Sequence, residues 1–156
     1  MNGFKCILVP LDGLPLSERA LSGATALAHE FRSEVILLHV LNIPMPPLPM
    51  SHPEVDCGWM KAALACAYRK AREYLDAQQQ EVCRQGIEVR TLMSDRSPAE
   101  GILEVAAGEK VDLIVMNGQG QQDSARWNLS RVAETVARQS SCPVLLVPSA
   151  VQRERR

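Results

Sequence analysis

At 156 residues the chain has the length of one domain, and 46% hydrophobic residues are enough to bury a sizeable core. A formal net charge of −1 gives no global field that would steer it to nucleic acid or an anionic membrane. No apolar run approaches the ~20 residues of a membrane span. The first residues lead straight into an apolar strand, without the charged segment, long apolar segment and cleavage site of a secretory signal. Cys6, Cys57, Cys66, Cys83 and Cys142 form no C-x-x-C pair and no zinc spacing with histidine. Free structural thiols in a cytoplasmic protein are the expectation.

Phe4–Pro10 (F-K-C-I-L-V-P) is a first buried strand, ended by the turn Leu11-Asp12-Gly13-Leu14-Pro15. Apolar residues then recur at Leu16, Ala20, Leu21, Ala24, Leu27, Ala28 and Phe31, which is one face of a helix. Glu34–Leu41 (E-V-I-L-L-H-V-L) is apolar on both faces, as parallel strands between helix layers are. Asn42–Asp56 holds Pro44, Pro46, Pro47, Pro49 and Pro53, so it cannot be helix or central strand. It is expected to be a mobile excursion on the ligand side.

Gly58–Gln85 is a long helix with the stripe Met60, Ala63, Leu64, Ala67, Ala71, Leu75 and Val82. Ile87–Met93 alternates as an edge strand does. Ser97-Pro98-Ala99-Glu100 predicts a helix start closed by a capping box, with the helix running to about Glu109. Val111–Met116 is the fourth strand, about Ser130–Gln139 the fourth helix and Val144–Val147 the fifth strand. Alternation of strands and helices with right-handed crossovers leads to an α/β fold: an open, doubly wound parallel sheet of five strands with helices on both faces. The domain is expected to span 1–150. The tail 151–156, with Arg153, Arg155 and Arg156, is expected to be a solvated end.

The strings K-C-I-L-V-P-L-D-G, E-V-I-L-L-H-V-L, D-L-I-V-M, V-A-E-T-V and S-C-P-V-L-L-V-P occur in this order along the chain. Together they resemble the universal stress protein family over nearly its whole length. The resemblance implies strand order 3-2-1-4-5, the adenine nucleotide alpha hydrolase-like arrangement. It also implies a homodimer built by edge pairing of the last strand, here Val144, Leu145, Leu146 and Val147.

One branch of that family binds ATP through G-x2-G-x9-G-[S/T] between strand four and helix four. Glycines there let the backbone approach phosphate, and the hydroxyl residue caps the helix and bonds a phosphate oxygen. Aligned on Val132-Ala133-Glu134, this chain has Asn117, Gly120, Ser130 and Arg131 at the four positions, with Gly118 one place late. The span is kept and the chemistry is changed. Asn117 is expected to imitate glycine at positive φ, and Ser130 to cap the helix one residue early. Three readings of Arg131 stand open: a phosphate clamp, a plug in the phosphate place, or an exposed arginine at a helix start.

The resemblance further places Asp12 against the adenosine part of a ligand and Val40 at the position whose backbone reads adenine. Asp12 has an alternative as a turn cap before Gly13. Leu14 stands where the family often has serine.

No G-x-S-x-G elbow, no P-loop and no acid–base carboxylate pair occurs. His29 and His39 are expected to be packing or surface residues. His52 lacks spacing for a metal, and Trp127 is expected to be a packing lid. The functional expectation is a homodimeric binding or signalling module in stress response with weak or absent binding of ATP or AMP. It carries no catalytic residue, no metal, and no nucleic-acid or membrane partner. Two alternatives stand beside it: a true ATP or AMP binder with slow hydrolysis or autophosphorylation, and a ligand-free interaction module.

Overall fold

The computed structural model describes residues 3–41, 58–118 and 131–148. In chain order the elements are β1 (Cys6–Leu11), α1 (Pro15–Phe31), β2 (Glu34–Val40), α2 (Gly58–Arg84) and β3 (Val89–Ser94). There follow α3 (Pro98–Gly108), β4 (Leu113–Asn117), α4 (Arg131–Gln139) and β5 (Val144–Val147). Every strand pairing is parallel, and the sheet order is β3-β2-β1-β4-β5. This is the expected open doubly wound sheet.

Side chains on a strand alternate between faces, and here both faces are covered. Ile7, Val9, Leu11, Val35, Leu37, Leu113 and Val115 pack with Ala20, Leu21, Ala24, Leu75 and Val82 of α1 and α2. Cys6, Leu8, Ile36, Leu38, Ile114 and Met116 pack with Ile102, Ala106, Ala133 and Val136 of α3 and α4. The unbroken apolar runs of β1, β2 and β4 are therefore the mark of central strands with no wet face.

The elements are tied at the amino ends of the strands. The Asp112 carboxylate accepts the backbone N–H of Lys5 (2.8 Å) and Cys6 (3.0 Å), while the Asp112 N–H donates to the Cys6 carbonyl. The buried Ser33 hydroxyl donates to the Phe4 carbonyl at 2.6 Å. Arg90 on β3 bridges Glu34 on β2 and Glu109 at the end of α3. Among the described residues no helix is long and apolar enough to cross a membrane.

Several boundaries differ from expectation for local reasons. Strand β4 starts at Leu113, not Val111, because the Val111 N–H is held by the Ala106 carbonyl at the end of α3. Ile87 is buried but precedes β3, which runs from Val89 to Ser94. The capping box at α3 is absent: Ser97 makes no side-chain cap bond. Ser97 and Glu100 are both exposed, so water can serve the free N–H groups at that end. The stripe of α2 is buried only from Ala71 onward, while Ala63 and Leu64 are exposed. Phe31 is also exposed and stands edge-on to Phe4.

Candidate site at the carboxyl ends of the strands

Strands β1, β2 and β4 deliver their carboxyl ends side by side. From β1 the chain turns into α1 on one face of the sheet. Strand β4, on the other side of β1, precedes α4 on the opposite face. This divergence is the switch point at which open α/β sheets form a ligand crevice.

The turn after β1 is built by its own side chains. The Leu14 N–H donates to Asp12 Oδ1 at 2.9 Å. The Asp12 N–H donates to Ser17 Oγ (3.3 Å), and the Ser17 hydroxyl donates to the Leu14 carbonyl (2.9 Å). Gly13 lies at φ +83°, a conformation that glycine adopts without the steric cost of a Cβ. Leu14 is the N-cap residue of α1 and offers no side-chain bond, and Pro15 follows it in the first turn. Ser17 thus takes over part of the polar work that Leu14 cannot do.

Val40 ends β2, half-buried on the α3 side. Its Cγ2 lies 3.5 Å from where a Cβ on Gly101 would stand, an ordinary contact, whereas Ser94 Oγ lies only 2.7 Å from that point, so Gly101 makes room for Ser94. Asn117 is the last residue of β4, in register with Val147, and the Gly118 N–H donates to the Val147 carbonyl at 3.3 Å. Asn117 does not imitate glycine. The non-glycine residues at positive φ among those described are Arg32 and Lys110, and strand pairing holds Asn117 extended. Arg131 and Val132 open α4. Arg131 is exposed and forms no ion pair among the described residues, and its carbonyl accepts the Thr135 hydroxyl at 2.8 Å.

A second polar group lies beside this turn. The Tyr74 hydroxyl on α2 donates to Glu18 Oε1 on α1 at 3.0 Å, and Gln78 Nε2 approaches the same oxygen at 3.4 Å. His39 on β2 stands edge-on to Tyr74, ring centroids 5.8 Å apart. Its Nδ1 is buried without a hydrogen-bond partner among the described residues. Burial lowers the His39 pKa below its ordinary value, and the nearby Asp12 charge opposes that shift. Burial first, then the bond to Glu18, pushes the Tyr74 phenol above its usual range.

The model of the universal stress protein family matches residues 3–148. The chain belongs to the universal stress protein family. A universal stress protein of Methanocaldococcus jannaschii, MJ0531, is 32% identical over 147 residues, covering 94% of this chain and 83% of the relative. The structure of universal stress protein UspA from Lactobacillus plantarum superposes with a TM-score of 0.79 at 20% identity, covering 93% of this chain and 98% of that one. A universal stress protein solved in complex with cAMP shares the fold with a TM-score of 0.63 at 21% identity, over 95% of this chain and 99% of that one.

In this universal stress protein, Asp12, Val40, Asn117 and Gly118 stand on three adjacent strand ends, with Arg131 and Val132 opening α4. Gly120, Ser130, Trp127, His52, Cys57 and the proline-rich segment 42–56 lie outside the described residues. No cluster of metal-binding side chains occurs among the described residues. Sequence reasoning missed the assembly of His39, Tyr74 and Glu18. Tyr74 and Gln78 are four apart on α2 and so share a face, which was the one readable hint. The partner residues are brought in by pairings 56 and 60 positions apart.

Proposed function

We propose that this chain is a homodimeric binding or signalling module that takes an adenine nucleotide weakly at the carboxyl ends of β1, β2 and β4. The observation that carries the reading is the switch-point placement of Asp12, Val40, Asn117 and Gly118 on adjacent strands. The cAMP complex of a protein with this fold supports the choice of ligand class. ATP and AMP are the candidate ligands, and cAMP is a third. Weakness follows from the same geometry. One oxygen of Asp12 is already used by Leu14, and the phosphate loop has Asn117 and Arg131 where glycine and a hydroxyl would serve phosphate. The module is a single domain of residues 1–150 with a basic tail at 151–156. A cytoplasmic setting fits the described cysteines, all of them free thiols.

Native mass spectrometry of the purified protein tests for a retained nucleotide, and titration calorimetry with ATP, AMP and cAMP measures affinity. Asp12→Ala is expected to weaken binding. The double change Ser130→Gly with Arg131→Ser separates the roles of Arg131. Tighter ATP binding identifies a plug. Weakening by about 1.5–3 kcal/mol, the scale of a charged hydrogen bond, identifies a clamp. An unchanged affinity identifies an exposed bystander. Absence of binding at millimolar nucleotide in every variant overturns the ligand reading and leaves an interaction module.

A further inference from the structure

The polar group beside the ligand-side turn has a feature that nucleotide binding does not use. His39 is wedged between two elements. On one side its ring meets Tyr74 edge-on at an interplanar angle of 74°. On the other, Nε2 lies 3.6 Å from where a Cβ on Gly13 would stand, so the ring packs against the turn from Asp12 to Leu14. Nδ1 is buried and has no hydrogen-bond partner among the described residues. Its strand neighbours in register, Leu11 on β1 and Met93 on β3, carry no charge. The titratable groups around it are Asp12 of the turn, Glu18 of α1 and Tyr74 of α2, with Glu18 already engaged by Tyr74 and Gln78.

A neutral imidazole tolerates one unpaired ring nitrogen. An imidazolium carries N–H on both nitrogens, and a buried charged donor without an acceptor is costly. The counter-charge that acts on His39 is Asp12, which accepts one local bond from the Leu14 backbone N–H at 2.9 Å. We propose that His39 is a proton-operated latch on this turn. With His39 neutral, the Asp12 carboxylate caps Leu14. Protonation draws that carboxylate to the imidazolium, frees the Leu14 N–H and opens the turn at Gly13. The latch acts on the acid side of ~6.5, since burial of the ring outweighs the Asp12 charge. Its consequence, loss of ligand on acidification, rests on the nucleotide reading above. The latch itself does not.

The test is an NMR titration of the ligand-free full chain from about pH 5 to 8, following the His39 ring and the Gly13 and Leu14 amides. The ring and both amides are expected to share one midpoint below ~6.5. In Asp12→Asn the His39 midpoint should fall further, because the opposing charge is gone, and in His39→Gln the amide inflection should vanish. Amides that stay flat through the His39 midpoint overturn the latch, as does an inflection that survives in His39→Gln. A His39 midpoint unmoved by Asp12→Asn, a change at an exposed position, overturns it even if His39→Gln does not fold. Calorimetry with cAMP, whose phosphodiester keeps its charge over this range, then reads the consequence: several-fold weaker binding on the acid side in wild type and none of that dependence in His39→Gln. Coupled amides without binding of ATP, AMP or cAMP at any pH remove the nucleotide reading and leave the latch. Binding with flat amides does the reverse.

Discussion

Three residues carry tests of the local physics. Arg32 closes α1 in the left-handed conformation, φ 54° and ψ 46°, where a non-glycine residue bears a cost of roughly 1–2 kcal/mol. Glycine removes that cost but gives back about 0.5–1 kcal/mol of chain entropy. Arg32→Gly is therefore expected to raise stability by up to ~1 kcal/mol, read from the denaturant midpoint. Asp112 acts in the opposite sense. Its carboxylate holds the N–H groups of Lys5 and Cys6 at the entry to β1, and Asp112→Ala leaves the partly buried Cys6 donor unmet, for an expected loss of about 1.5–3 kcal/mol. A loss below ~0.5 kcal/mol would mean that water replaces the carboxylate there. Cys6 itself sits in β1 with its thiol pushed up to about 11, first by burial and then by the Glu34 charge. In the unfolded chain the thiol ionises from about 9, and in the fold only near 11. The unfolded state thus loses the proton first, so stability is whole below about 9 and declines as pH rises from there toward 11. Cys6→Ala should flatten that part of the stability–pH curve.

At the scale of elements, burial separates positions that the hydrophobic pattern treats alike. Leu64 and Leu75 lie on one stripe of α2, yet Leu64 is 38% exposed and Leu75 only 2%. Leu75→Ala is expected to cost about 2–5 kcal/mol by opening a cavity against α1 and the sheet. Leu64→Ala should cost a fraction of that. Equal costs in thermal melts would show that the first turns of α2 are packed in solution. A similar contrast holds at α3. A serine N-cap is normally worth about 1 kcal/mol, but Ser97 makes no cap bond, so Ser97→Ala should change stability by no more than a few tenths. Both differences show where sequence reading stops. Helical periodicity identifies the face of α2 that turns toward the sheet, but not where burial against the sheet gives out. The string S-P-A-E specifies a helix start, which is what occurs, but not whether an exposed hydroxyl bonds to backbone or to water.

For the whole molecule, the central place of β1, β2 and β4 was readable because they are apolar without alternation, as strands covered on both faces are, while the strand order came from the family resemblance. The edge position of β3 was readable from its alternation for the converse reason. The candidate site was readable only as far as strand ends carry it: Asp12 follows β1 and Val40 lies at the end of β2, whereas Asn117, expected in the turn after the fourth strand, is the last residue of β4. The His39–Tyr74–Glu18 group was not, because hydrogen bonds across 56 positions leave no local pattern. Strand β5 leads to the remaining prediction. Among the described residues it pairs only with β4, and no other described strand lies on its outer edge. Its four residues Val144, Leu145, Leu146 and Val147 carry no charge to discourage another strand, and Leu145 is 42% exposed. An uncharged apolar edge is a template for pairing unless it is covered, and a second copy of β5 is expected to cover it isologously, each strand contacting its twin. Sedimentation of the wild type at micromolar concentration is expected to show a dimer, and Leu145→Lys, which sets like charges against each other across the two-fold axis, to show a monomer. The substituted position is solvent-facing, so the monomer should keep its fold and its thermal transition should lose its dependence on protein concentration. A Leu145→Lys protein that remains dimeric places the contact elsewhere, and a wild type that is monomeric throughout removes the edge-pairing assembly altogether.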